Sequence, residues 1–152
     1  MKKSKILFLD NFFISYRKTK LKKGQFIRSI RIPLFENNIF KAYKVSKRFD
    51  DDISSVCAAF NLEIVKNKVQ SARIAYGGMA AIPKRAIYCE KTLSNSLVTE
   101  EIIHKAKKAL EKDFTPISDM RASGLYRMEV AKNLLEKCCV EIKQKKLIRV
   151  YF

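Results

Sequence analysis

The sequence predicts an α+β fold, in which one antiparallel β-sheet of three to four strands is covered on one face by about three helices. Apolar residues recur with period two from Gln25 to Tyr76, and then at spacings of three and four residues. Strands followed by helices, without alternation, are typical of α+β proteins. A chain of 152 residues is long enough for one core, so a single domain is predicted over residues 1–152.

Four strands are predicted: around Ile30 and Ile32, around Tyr43 and Val45, from Val56 to Ile64, and from Val69 to Tyr76. The third has the clearest alternation, with one face of apolar side chains. Lys66-Asn67-Lys68 is short enough to join the last two strands as a hairpin, because Asn tolerates the left-handed conformation of such turns. The sheet is therefore predicted to be antiparallel.

Three helices are predicted after the strands. Pro83 opens the first, which reaches about Leu93, since the missing N–H of proline costs nothing in a first turn. Thr99 is the candidate N-cap of the second, which ends before Thr115. The third begins near Ser123 and is followed by a basic tail over residues 142–152. Its apolar stripe is Leu125, Met128, Ala131, Leu135, Cys138 and Ile142, which leaves Arg127, Lys132 and Lys137 toward solvent or a partner.

The charge balance is the most unusual bulk property, since 32 Lys and Arg against 15 Asp and Glu give a formal net charge of +17. The positive electrostatic field of such a chain favours anionic partners, including nucleic acid. A lysine-rich solvated surface explains the same composition, and no nucleic-acid-binding motif accompanies it. No stretch approaches the ~20 apolar residues of a membrane span. A cytoplasmic chain without membrane contact is predicted.

Residues for self-sufficient catalysis are scarce. The four cysteines have no C-x-x-C spacing and His104 is the single histidine, so no metal site is expected, and the thiols are predicted to be reduced and mostly buried. The adjacent Gly77 and Gly78 lack the flanking pattern of a phosphate-binding loop. His104 lies among lysines of a predicted helix and is expected at the surface.

Two charged segments are not fully explained by a structural role in the predicted fold. In the segment from Lys44 to Ile53, Lys47 and Arg48 precede three consecutive carboxylates. This is either a solvated turn or a loop that sets the field around a bound group, and both interpretations stay open. In the segment from Asp119 to Arg127, Ser123 is a candidate N-cap and Arg121 can pair with Asp119.

Five ordered segments, between Ile6 and Glu141, resemble the C-terminal domain of the FAD-binding subunit of xanthine dehydrogenases, the CO dehydrogenase flavoprotein C-terminal domain family. They are Phe12 to Thr19, Phe40 to Lys44, Arg48 to Ser54, Ala75 to Ala80, and Ile117 to Arg127. The resemblance implies the same α+β fold. In such enzymes a molybdopterin centre hydroxylates purines, and electrons pass through iron–sulfur clusters to FAD and then to NAD.

The resemblance also implies a flavin site. Lys44 would lie near the isoalloxazine ring, and Arg48 and Asp51 would belong to a loop along it, so these three are the expected cofactor-binding residues. The family's pyrophosphate-binding domain would precede Asp10, where nine residues stand. FAD is therefore expected only with a partner, an FAD-binding domain or subunit of a molybdenum hydroxylase. The chain alone is expected to be inactive, and either to self-associate or to bind a separate flavoprotein half. The alternative is a stand-alone basic binding module without redox activity.

Overall fold

The structure is a computed structural model and describes residues 4–34, 38–48 and 52–145. A short 3-10 turn (Leu9–Asn11) precedes a two-stranded sheet of β1 (Phe13–Ser15) and β2 (Lys18–Thr19). The main sheet contains β3 (Asn38–Val45), β4 (Val56–Val65), β5 (Lys68–Gly77) and β6 (Lys84–Arg85). Three helices follow, α1 (Ile87–Leu93), α2 (Glu100–Asp113) and α3 (Gly124–Gln144). Residues 146–152 of the predicted basic tail lie outside the described part.

The four strands of the main sheet pair in the order β3-β4-β5-β6, and every pair is antiparallel. This confirms the predicted fold class. The β4–β5 hairpin turns at Lys66 and Asn67, whose φ angles are 49° and 63°. Two consecutive left-handed residues are typical of the tight turns that match the twist of a hairpin. The hairpin prediction is therefore confirmed, although Lys66 adopts the left-handed conformation as well as Asn67.

The core lies between one face of the main sheet and the helices. Alternate residues of β4 and β5 are fully buried there, among them Phe60 and Tyr76, whose rings meet edge to face at 5.9 Å between centroids. The ring of Tyr76 also packs against Phe114 at 5.4 Å. Its hydroxyl donates to the carbonyl of Ala131 at 3.0 Å. One aromatic side chain thus joins the sheet to α2 and α3.

Two helix starts agree with their predicted caps. The Thr99 hydroxyl accepts from the Ile102 N–H at 3.3 Å, and the Ser123 hydroxyl accepts from the Tyr126 N–H at 3.2 Å. Each side chain satisfies one of the backbone donors that a helix start leaves unpaired.

The start of α1 differs from the prediction. Pro83 does not open a helix, because Lys84 and Arg85 form β6 and pair with Tyr76 and Ala75 at the edge of β5. The helix begins only at Ile87 and ends at Leu93, as expected. Pairing with an open strand edge gives these residues backbone partners that an isolated first turn would lack.

The strand predicted around Ile30 and Ile32 is also absent from the described residues. Residues 25–34 have no regular secondary structure and are exposed throughout. The alternation of apolar residues is present, but no neighbouring strand pairs with it in the described part of the chain. A strand needs a partner for its backbone groups, and the period of the sequence does not supply one.

Candidate functional site

The two charged segments of the sequence lie side by side at one end of the main sheet. The Lys47 ammonium donates to the Met120 carbonyl at 2.8 Å, and the Ser55 hydroxyl donates to the Arg121 carbonyl at 3.4 Å. Between the two segments lies a groove of about 470 Å³. It is lined by Lys47, Arg48, Asp52, Ile53, Ser55, Met120 and Arg121. A second groove of about 380 Å³ shares Lys47, Ser55 and Arg121 with the first and reaches Tyr126 at the start of α3.

Arg127 holds this end of the fold together, although the sequence suggested a solvent-facing side chain. The residue is 3% exposed. Its Nη1 donates to the carbonyls of Ser55 at 2.5 Å and Gly78 at 3.0 Å. Its Nε is buried and has no hydrogen-bond partner among the described residues. Leu125, predicted to face the core, is instead 84% exposed. The buried face of α3 therefore begins at Arg127 and not at Leu125, because Arg127 lies against two carbonyls that need donors.

Asp119 is the anionic partner of Arg127. Its Oδ1 accepts from Arg127 Nη2 at 2.6 Å and from the backbone N–H groups of Arg121 and Ala122 at 2.8 and 3.2 Å. These hydrogen bonds, that of the Arg121 N–H first, hold the pKa of Asp119 below its ordinary value. Arg121 lies 3.8 Å from the same carboxylate, so the predicted Arg121–Asp119 pair is confirmed but is the looser of the two.

Gly78 has no room for a side chain. Its φ is +82°, and a Cβ at this position would lie 2.3 Å from the Ser55 carbonyl oxygen. The glycine therefore lets the end of β5 approach Ser55 closely enough for one guanidinium to bind both carbonyls.

The sheet face opposite the helices, which we call the outer face, carries Lys44. In the register of the sheet, Lys44 lies opposite Cys57, which lies opposite Gly77. The next row consists of small side chains, Ala42, Ala59 and Ala75. Lys44 is exposed and lies at the same end of the sheet as the two grooves. This end therefore combines a flat surface of small residues with a lysine.

Of the expected cofactor-binding residues, the structure describes two. Arg48 is highly exposed and lies 3.6 Å from Asp52, across the segment of Phe49 to Asp51 that is outside the described residues. Partial desolvation raises the pKa of Asp52, but hydrogen bonds from Arg48 and the Ile53 N–H outweigh it, so the pKa lies below its ordinary value. Lys44 and Arg48 are thus near one end of β3, and the position of Asp51 stays a prediction.

The remaining reactive residues do not gather into a second site. No group of three or more His, Cys, Asp or Glu side chains in the described residues could hold a metal ion. His104 is exposed, as expected. Cys89, Cys138 and Cys139 are buried and Cys57 is exposed, and all four are free thiols. Within the described ranges no helix is long and apolar enough to cross a membrane.

The antiparallel sheet with three helices on one face defines an α+β domain with a charged groove at one end of the sheet. Residues 41–142 match the CO dehydrogenase flavoprotein C-terminal domain family, and the chain belongs to that family. Its relatives include xanthine dehydrogenases and medium chains of related dehydrogenases, which are oxidoreductases.

Three comparisons show how much of the relatives the chain represents. The glyceraldehyde dehydrogenase medium chain of Sulfolobus acidocaldarius is 29% identical over 87% of this chain and 47% of that protein. The xanthine dehydrogenase of Emericella nidulans is 36% identical over 70% of this chain and 8% of that protein. Quinoline 2-oxidoreductase from Pseudomonas putida 86 has the same fold, with a TM-score of 0.78, 22% identity, and coverage of 91% of this chain and 48% of that chain. The chain therefore spans less than half the length of each.

Proposed function

We propose that this chain forms the C-terminal part of the FAD-containing subunit of a molybdenum hydroxylase, and that its outer face closes one side of the flavin site. The observation that carries the proposal is the position of Lys44, exposed beside a row of alanines on the sheet face opposite the described helices. An FAD-binding domain or subunit supplies the nucleotide-binding half. FAD, when bound, takes up electrons from the iron–sulfur centres and passes them to an acceptor such as NAD.

The outer face suits the flavin ring but not the rest of the cofactor. Ala42, Ala59 and Ala75 form a row across three strands. Neighbouring strands lie ~4.8 Å apart, so this row makes a flat surface roughly 10 Å wide, which matches a planar three-ring system. Tight binding of a pyrophosphate needs backbone N–H donors, usually from a glycine-rich turn. The sequence has no such turn, so those donors belong to the other half.

Charge is the contribution that the chain's own residues make to this site. Lys44 and Arg48 place positive charge at the loop end of β3, where it stabilises negative charge on a reduced flavin. The Arg48–Asp52 pair limits the reach of the Arg48 side chain. By resemblance, Asp51 would oppose the two cations. The balance among these three groups then sets the potential of the flavin.

Retention of FAD tests the proposal. The purified chain is expected to be colourless, and added FAD should keep its free fluorescence at micromolar concentration. A chimera in which the chain replaces the matching part of the Sulfolobus acidocaldarius medium chain should retain FAD through gel filtration. A yellow preparation of the chain with stoichiometric FAD and no second polypeptide would place the flavin site elsewhere. A folded chimera without FAD would refute the proposal.

A second candidate function, polyanion binding without redox activity, is favoured by the net charge of +17. Several lysines on the helices are already paired, such as Lys132 with Glu111 at 2.8 Å and Lys107 with Glu136. This pairing weakens the field on the helical side. Nucleic-acid affinity that falls steeply with salt, with a slope equivalent to several phosphates, would favour this candidate. Absence of binding at physiological salt would exclude it.

A further inference from the structure

The connection between β3 and β4 is a loop with a closed neck. We call residues 46–54 the charged loop, of which the structure describes 46–48 and 52–54. At the neck, the Ser55 N–H donates to the Val45 carbonyl at 2.8 Å. Inside the loop, the Ser46 hydroxyl donates to the Arg48 carbonyl at 2.8 Å, and the Arg48 guanidinium lies 3.6 Å from Asp52. These local contacts fix the shape of the described part of the loop, but not its direction relative to the sheet.

Lys47 links the charged loop to another part of the fold. Its Nζ donates to the carbonyl of Met120 at 2.8 Å, across 73 positions of the sequence. A hydrogen bond from an ionised donor is stronger than one between neutral groups. At the neck, the Ser55 hydroxyl also donates to the Arg121 carbonyl, but the distance of 3.4 Å is long for such a bond. Lys47 is therefore the stronger of the two side-chain links between this loop and the segment before α3.

The carbonyl that accepts from Lys47 belongs to a fixed turn. The Asp119 carboxylate accepts from the N–H groups of Arg121 and Ala122, and the Asp119 N–H donates to the Ala122 carbonyl at 3.0 Å. These bonds close the turn around Met120. The buried Arg127 holds the same carboxylate at 2.6 Å. Met120 therefore offers a backbone acceptor at a fixed position, although its side chain is exposed.

The anchor controls the position of the next residue, Arg48. Consecutive Cα atoms lie 3.8 Å apart, so a fixed Lys47 restricts the backbone of Arg48. The side chain of Arg48 is 80% exposed. The interaction of a guanidinium with a charged group falls with distance, and solvent screens it further. A loop without the anchor would let Arg48 spread over positions in water, where its charge has little effect on a bound group.

The stability of the fold does not explain this bond. Lys47 and the Met120 carbonyl form an exposed hydrogen bond, so water can replace the ammonium when the lysine is lost. Arg127 differs, because its bond to the Ser55 carbonyl is buried. Loss of Lys47 should therefore change where the charged loop lies more than it changes the free energy of unfolding.

We infer that Lys47 is a positioning residue for the flavin site, which keeps Arg48 close to the isoalloxazine ring by anchoring the charged loop to the Met120 carbonyl. This inference rests on the proposed function, since it concerns the flavin site to which this chain contributes its outer face. The effect of Lys47 on the flavin passes through Arg48 and not through the charge of Lys47 itself.

The anchor itself is tested by NMR of the lysine ammonium groups in the isolated 152-residue chain. The ammonium protons of Lys47 should exchange with water more slowly than those of Lys112, because the bond to Met120 must open first. Lys112 is a suitable reference, since it is exposed on α2. Equal exchange rates at the two lysines would overturn the inference without any flavin present.

The effect of the anchor is tested by redox titration of the flavin-loaded Sulfolobus acidocaldarius chimera. Arg48→Met should weaken the preference of the site for reduced flavin about tenfold, which lowers the potential of a two-electron couple by about 30 mV. Lys47→Met should lower the potential by about half as much or more, and Lys47→Arg, which keeps a charged donor, should restore most of it. In an Arg48→Met background, Lys47→Met should add little, because residues that act through one another are not additive.

The outcomes separate this inference from the proposed function. A potential that falls in Arg48→Met but not in Lys47→Met would overturn the inference and leave the proposed function intact. Additive shifts would mean that Lys47 acts through its own charge, which also contradicts the inference. A large fall in the melting temperature of Lys47→Met would assign the anchor to the stability of the whole fold and overturn its positioning role. If no substitution at Lys44, Lys47 or Arg48 changes the flavin potential, the proposed function fails as well.

Discussion

The guanidinium of Arg127 lies 2.6 Å from the carboxylate of Asp119, with side-chain exposures of 4% and 31%. The same guanidinium binds the carbonyls of Ser55 and Gly78. One side chain therefore connects the segment that leads into β4, the residue after β5 and the loop before α3. These are the elements that form the two grooves, so the shape of the site depends on a residue that does not line either groove.

Replacing Arg127 with Met should lower the free energy of unfolding by about 3 kcal/mol, because it leaves the buried Ser55 carbonyl without its side-chain donor and removes the guanidinium from Asp119 and the Gly78 carbonyl. Urea unfolding measures the loss. Arg121→Ala is the matched control, since Arg121 also pairs with Asp119 but is more exposed. It should cost less than ~1 kcal/mol. Equal effects of the two substitutions would show that Arg127 has no special structural role.

Substitution of Gly78 should be much more costly than substitution of Gly24. Both have positive φ, +82° and +80°, but a Cβ on Gly78 would meet the Ser55 oxygen at 2.3 Å, and nothing lies within 4 Å of one on Gly24. Gly78→Ala should therefore cost about 2–4 kcal/mol, from backbone strain plus overpacking, and Gly24→Ala about 1–2 kcal/mol at most. Thermal or urea unfolding of both variants decides this. Similar losses would mean that the contact with Ser55 relaxes freely.

The four thiols should differ sharply in reactivity. Burial raises the pKa of Cys138 and of Cys139 to about 12 from a usual 9.0, whereas Cys57 is exposed. A thiol reagent at pH 8 should therefore label Cys57 rapidly in the folded protein and the other three only after denaturation. Rapid labelling of several thiols in the native protein would contradict the packing of α3.

The raised pKa values of Cys138 and Cys139 predict how the stability of the fold changes at alkaline pH. Their pKa is raised on folding, so their contribution to stability is complete below the unfolded value of 9.0. It is lost as the pH rises from there toward about 12, because the unfolded chain gives up its protons first. The free energy of unfolding should fall over this window, and the fall should be smaller in Cys139→Ala. An equal fall in both proteins would assign it to other groups.

Removing charge near the proposed flavin should change its potential more than the stability of the fold. In a flavin-loaded chimera, Lys44→Ala should lower the potential and Asp51→Asn should raise it. The expected shift is about 30 mV, since that corresponds to ~1.4 kcal/mol for a two-electron couple. The melting temperature should change little, because exposed charges contribute under ~1 kcal/mol to stability.

Lys112→Ala, which removes a charge from the exposed side of α2, is the control and should leave the flavin potential unchanged. An unchanged flavin potential in both the Lys44 and the Asp51 variant would place these residues away from the isoalloxazine ring.

Much of the fold could be predicted from local pattern. The alternation in β4 and β5, the turn at Asn67 and the caps at Thr99 and Ser123 depend on residues close together in sequence, and each is confirmed. The family resemblance is also confirmed over residues 41–142. Lys44 and Arg48 could be singled out only by that resemblance, because nothing in their spacing requires a cofactor.

Other features were decided by tertiary contacts. Arg127 has the helical position of a surface residue, and its burial is made favourable by Asp119 and by the carbonyls of Ser55 and Gly78, which are 72 and 49 residues away. Lys84 and Arg85 became a strand because the edge of β5 was open. Ile30 and Ile32 have the pattern of a strand but no described partner. Period and propensity depend on each residue and its neighbours, whereas the pairing of backbone donors and acceptors depends on which distant segment lies opposite.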